Sequence, residues 1–136
     1  MFRPMSSIVI KSSKLLVEEA RSQIKNFKAS DAIKFCNKKN YIFIDLRDIR
    51  ELQKLGKIKN AIHVPRGMLE FWIDPLSPYY KKFFGKNCNF IFYCASGWRS
   101  ALSTLTAQQM GLKNVSHIVD GYNKWLEING PIEKIN

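Results

Sequence analysis

The 136 residues suffice for one domain with a single core and fall short of two full domains. Lysine and arginine number 22 against 11 acidic residues, a formal net charge of +11 that suits an anionic substrate or an acidic partner. The lysines are scattered without a dense basic run, which argues against nucleic acid, and the three cysteines are an odd number without C-x-x-C spacing, which argues against a disulfide framework or a metal site.

The short apolar stretch Ile8 to Ile10 is broken by Lys11, Ser12, Ser13 and Lys14 before a signal-peptide core forms, and no run of transmembrane length follows. A reduced, cytoplasmic setting without a membrane partner is therefore expected. Leu15 to Ile24 reads as a short amphipathic helix, with Leu15, Leu16, Ala20 and Ile24 on one side. Ser30 stands where an N-cap belongs, predicting a second helix to Lys38 or Lys39.

Tyr41 to Leu46 is a compact run of β-formers and predicts a buried strand. A helical piece from Arg50 to Leu55 ends at Gly56, and Ala61 to Val64 predicts another strand closed by Pro65. Asp74-Pro75 and Ser77-Pro78 mark a turn-rich insert. Phe90 to Tyr93 is the third strand, Ser100 to Met110 an amphipathic helix ended by Gly111, Val115 to Val119 a strand, and Tyr122 to Ile128 a last helix. Strands alternating with helices predict a mostly parallel central sheet with helices on both faces.

The chemistry concentrates in Phe90-Ile91-Phe92-Tyr93-Cys94-Ala95-Ser96-Gly97-Trp98-Arg99-Ser100, which reads strand, tight loop, helix. Sites in such sheets gather outside the carboxyl ends of the strands, where Cys94 stands. The small residues Ala95, Ser96 and Gly97 let the backbone curl, so that N–H groups of the loop and first helical turn converge on one point as an anion cradle. A thiolate there is stabilised by the helix N-terminus and by Arg99, which makes Cys94 a nucleophile.

Cys94-Ala95-Ser96-Gly97-Trp98-Arg99-Ser100 resembles the C-x-x-G-x-R-S active-site loop of single-domain rhodanese-like sulfurtransferases. Ile44-Asp45-Leu46-Arg47 with Glu51 resembles that family's D-V-R…E element, Gly56 to Ala61 its G-H-I-P-G-A, and Asp120-Gly121-Tyr122 with Trp125 its closing G-G…W. Lys57, Lys59-Asn60 and Asp120 depart from those patterns, and the stretch Pro65 to Trp72 is longer than in the shortest members, as an insert that shapes the pocket would be. The resemblance covers Phe27 to Pro131, so residues 1–26 are expected to form a helical extension and residues 27–136 a rhodanese-like three-layer sandwich.

The resemblance implies that Cys94 takes sulfane sulfur from a small anionic donor such as thiosulfate and passes it, as a persulfide, to cyanide, a thiol or a protein acceptor, without cofactor or metal. Ala95, Ser96, Gly97, Trp98, Arg99 and Arg66 are the expected substrate-binding residues, with Trp98 a pocket wall and Arg66 at the same mouth. Asp45 and Arg47 are expected to support the loop, Arg47 also standing at helical ion-pair spacing from Glu51. Cys36, Cys88, His63 and His117 are expected to serve packing alone. A relay or regulatory module delivering persulfide to a partner is the alternative. A cysteine-dependent phosphatase or arsenate reductase fits less well, because cysteine phosphatases place five residues between Cys and Arg and this loop has four.

Overall fold

A computed structural model describes residues 10–135. Helix α1 (Ser13–Gln23) starts where Ser12 Oγ accepts the Leu15 N–H at 3.1 Å. Strand β1 (Lys25–Phe27) and a short α2 (Ala29–Ala32) follow, the latter extended by one 3-10 turn to Phe35. The N-cap of α2 is Lys28 rather than the expected Ser30, and its capping acceptor comes from far away: Asp120 Oδ1 takes the Ala29 N–H at 2.8 Å. A distant carboxylate thus fixes a helix start that local propensity would set two residues later.

The chain continues through β2 (Tyr41–Asp45), α3 (Ile49–Leu55), β3 (Lys57–Ile58), β4 (Ile62–His63) and α4 (Leu69–Ile73). It closes with β5 (Asn89–Tyr93), α5 (Trp98–Gln109), β6 (Val115–Ile118), α6 (Gly121–Glu127) and β7 (Ile132–Glu133). Five strands form one parallel sheet in the order β1-β6-β5-β2-β4, and β3 with β7 makes a separate antiparallel pair.

Side-chain alternation sorts the core into two layers. Ile44, Phe90, Phe92 and Val115 face Leu69 and Ile73 of α4 and Ala107 of α5. Phe43, Ile91, Tyr93 and Ile118 face Ala29 and Ala32 of α2 and Tyr122 and Trp125 of α6. Helix α1 packs Val17 and Ala20 against Ala101 of α5. The result is the α/β/α sandwich expected from the sequence, with β5 at its centre.

Strand β1 is an element the sequence did not announce, and it straddles the expected boundary between extension and domain. Lys25 to Phe27 pair with Ser116 to Ile118, so the main sheet begins before residue 27. The departures from the family patterns are accommodated simply. Lys57 Nζ donates to the Ala61 carbonyl at 2.6 Å, and Asp120 sits at φ −102°, a conformation open to any residue. The insert after Pro65 joins the hydrophobic core through Leu69 and Ile73.

Candidate active site

Cys94 follows the central strand at its carboxyl end and is 1% exposed. Its Sγ accepts the N–H of Gly97 at 3.2 Å and of Ser100 at 3.3 Å. Gly97 is the N-cap of α5 and has no side chain, so the cysteine sulfur occupies the place of the capping oxygen and takes the N–H of the third helical residue. The positive end of a twelve-residue helix therefore points at sulfur, an arrangement that holds negative charge there.

The loop is clamped on its other side by α6. Tyr122 N–H donates to the Cys94 carbonyl at 2.8 Å and Asn123 N–H to the Ala95 carbonyl at 3.0 Å. Two glycines make the approach feasible. A Cβ on Gly97, at φ +90°, would stand 2.1 Å from the Val119 carbonyl oxygen, and one on Gly121, at φ +69°, 2.3 Å from that of Ala95.

The expected substrate-binding residues divide between this loop and positions around it. Ala95 is half-buried, Ser96 is exposed, and Trp98 is 45% exposed at the rim as the first residue of α5. Arg99 reaches across to α3 and bonds Glu51 at two points, 2.8 and 3.1 Å. The Glu51 hydrogen bond, against the opposing effect of burial, holds the guanidinium charged, and the neighbouring Cys94 sulfur adds to this. The same bond holds the Glu51 carboxyl below its ordinary range. Arg66 lies at the same end of the sheet, its N–H on the Leu46 carbonyl at 3.3 Å, yet its guanidinium turns to Glu70 at 3.4 Å.

Asp45 and Arg47 form a buried pair beneath the site. Arg47 Nε and Nη2 meet the Asp45 carboxylate at 3.0 and 2.7 Å, Nη2 also donates to the Gly56 carbonyl at 2.7 Å, and the guanidinium lies 4.1 Å from the centroid of the Tyr122 ring. The helical spacing of Arg47 and Glu51 does not pair them, because Arg47 precedes α3, which begins at Ile49, and Glu51 is taken by Arg99. Cys36 and Cys88 lie just before β2 and β5, at the end of the sheet opposite Cys94, and burial pushes both thiols up.

His117 does more than pack. Cys94 Sγ lies 3.5 Å from Ser100 Oγ, Ser100 Oγ 2.8 Å from His117 Nδ1, and His117 Nε2 2.7 Å from Asn26 Oδ1. Burial first, and the Arg21 charge second, lower the His117 pKa to about 4, so the ring is neutral. Sequence spacing carried no signal for these contacts: His117 pairs with Phe92 in register, and that pairing sets it on the face covered by α5.

The sequence matches the rhodanese-like domain family model over residues 28–128. A solved Rhodopseudomonas palustris protein of unknown function, described as a "possible tyrosine phosphatase", is 44% identical with a TM-score of 0.90, covering 96% of this chain and 100% of that one. The polysulfide-sulfur transferase homodimer of Wolinella succinogenes is 28% identical with a TM-score of 0.68, covering 90% of this chain and 88% of its own. Among curated proteins, the tRNA uridine(34) hydroxylase of Buchnera aphidicola is 32% identical over 102 residues, 72% of this chain and 30% of that protein. The thiosulfate sulfurtransferase/rhodanese-like domain-containing protein 3 of Mus musculus is 26% identical over 66% of this chain and 60% of its own. The chain thus spans less than two thirds of either curated relative.

Proposed function

Because the chain belongs to the rhodanese-like domain family, we propose that it is a sulfurtransferase whose Cys94 carries sulfane sulfur as a persulfide, with thiosulfate as a donor. The observation that carries this reading is the Cys94 sulfur at the carboxyl end of the central strand, held by the N–H groups of Gly97 and Ser100. The Cys94 thiolate attacks the outer sulfur of thiosulfate; the S–S bond breaks and sulfite leaves with its electron pair. The persulfide charge then rests on the new outer sulfur beside the loop N–H groups and Arg99. Cyanide or a thiolate attacks that sulfur, and the Cys94 thiolate leaves with the electron pair of the second S–S bond, restoring the enzyme. No external oxidant enters.

A protein or thiol acceptor fits the same chemistry, and the basic surface suits an anionic donor. The phosphatase description attached to the Rhodopseudomonas palustris protein suits this loop less well, since four residues separate Cys94 from Arg99 and the sulfur is already closely capped. The deciding experiment is intact-protein mass spectrometry after exposure to thiosulfate. One added sulfur on the wild type and none on Cys94→Ser is expected; no adduct, together with turnover of a chromogenic phosphate ester, overturns the reading.

A further inference from the structure

The hydrogen bonds behind Cys94 run in one direction. The Asn26 side-chain amide donates to the carbonyls of Arg21 at 3.0 Å and Ile24 at 3.1 Å, which fixes its NH₂ group toward the end of α1 and its oxygen toward His117. His117 Nε2 must then carry the proton, and its Nδ1 presents a bare lone pair. Only a donor satisfies that lone pair, and the group 2.8 Å away is the Ser100 hydroxyl. With its proton on His117, Ser100 Oγ offers only lone pairs to Cys94 Sγ at 3.5 Å, so the thiol donates and the hydroxyl accepts.

We propose that Asn26 and His117 are positioning residues that hold the Ser100 hydroxyl turned away from Cys94, leaving charge on the sulfur to the backbone N–H groups of Gly97 and Ser100. The device deepens the sulfur-carrier reading and belongs to the N-terminal segment, since Asn26 and its two carbonyl anchors precede the residues that match the family. A hydroxyl oxygen facing sulfur favours the protonated thiol, whereas a hydroxyl proton facing it favours the thiolate. The chain from Asn26 therefore turns the Ser100 lone pairs, and not its proton, toward the Cys94 sulfur. The neutral state of His117 is consistent with this: a cationic ring would donate from Nδ1 and release the hydroxyl.

The charged groups around the sulfur are Arg99 of α5, paired with Glu51 of α3, and Arg21 of α1 behind His117, whose Nε is buried without a hydrogen-bond partner among the described residues. They are unchanged in each variant below. The test is the pH dependence of Cys94 alkylation by iodoacetamide on the full chain, with the modified peptide read by mass spectrometry. Asn26→Ala lets His117 adopt the other tautomer, His117→Phe removes the acceptor, and both should lower the alkylation midpoint by about one pH unit. Adding Ser100→Ala to either variant should cancel its effect and give the midpoint of Ser100→Ala alone, since without the hydroxyl Asn26 and His117 have nothing to orient beside the sulfur.

Asn26 is exposed, so Asn26→Ala keeps the test open if the buried His117→Phe variant fails to fold. Unchanged or raised midpoints in the folded variants overturn the proposal. So does a raised midpoint in Ser100→Ala alone, which would mean the hydroxyl already donates to sulfur. Because the readout is thiol titration rather than transfer, failure here leaves the persulfide reading standing, and absence of a persulfide leaves this test intact.

Discussion

Glu51 and Arg99 meet fork to fork across the space between α3 and α5, so the guanidinium of α5 that feels the Cys94 sulfur is already bound to a carboxylate. Under the proposed function an incoming donor anion has to share that cation. Glu51→Gln should therefore lower the KM for thiosulfate by about two- to fivefold, the scale of a partly exposed ion pair, while Arg99→Ala raises it and Arg99→Lys recovers part. Since Arg99 holds the Glu51 carboxyl below its ordinary range, the pair is intact at neutral pH and opens only as pH falls through that depressed value. Steady-state kinetics with equal KM in all four proteins would remove Arg99 from donor capture.

Under the proposed function Cys94 has two separable duties, nucleophile and helix cap. Cys94→Ser and Cys94→Ala should both abolish thiosulfate-to-cyanide transfer, while Cys36→Ser and Cys88→Ser, at the far end of the sheet, retain it. Thermal unfolding should tell the two inactive variants apart. Serine keeps an acceptor for the Gly97 and Ser100 N–H groups, whereas alanine leaves α5 uncapped at a cost of about 1 kcal/mol.

Gly97→Ala tests the clamp. The added methyl would press on the Val119 carbonyl and hold φ +90° against its preference, so the loop must shift away from β6. Loss of about 2 kcal/mol or more of stability is expected, together with loss of transfer, as read by denaturant melts and activity. A variant with wild-type stability and rate would mean the loop tolerates repositioning.

Asp45→Ala leaves Arg47 buried without its carboxylate partner and should cost about 3–5 kcal/mol. Replacing both residues by apolar ones of similar volume should cost much less, because no uncompensated charge remains. The comparison of the two melts decides whether the pair is a source of stability or only a source of vulnerability.

His117 gives the protein an acid-sensitive stability. Its folded pKa of about 4 lies below the ordinary histidine value, so between these the unfolded state binds the extra proton. Stability is full above about pH 6.5 and falls as pH drops toward 4, by up to about 3 kcal/mol. The difference in unfolding free energy between wild type and His117→Phe should shrink across that window; a constant difference would contradict a buried neutral ring.

How much of this was legible in the sequence depended on how local each cause is. The apolar runs of β2 and β5 and the amphipathic spacing of α5 are local, and the structure has them within a few residues of their expected bounds. The Cys94 loop was legible because glycine and small residues next to a strand end state their geometry themselves. Strand β1 was not: Lys25-Asn26-Phe27 is short and mostly exposed, and is a strand only because β6 lies beside it. Asp120 capping α2, Arg99 choosing Glu51, and Asn26 meeting His117 join residues 91, 48 and 91 positions apart, distances at which sequence spacing carries no signal.

The edge pairing of β1 with β6 also has a consequence for how the chain reaches this state. Residues 25–27 find their partners at 116–118, so a chain made from its amino end holds α1 and β1 in waiting until nearly everything else has been synthesised. Closing so large a loop is slow relative to the local assembly of α5 and α6 around Cys94. The thiol would thus be caged by its helix before Asn26 arrives, and a nascent or truncated chain would pass through an interval in which its cysteine is folded into place but the Ser100 hydroxyl beside it is not yet oriented.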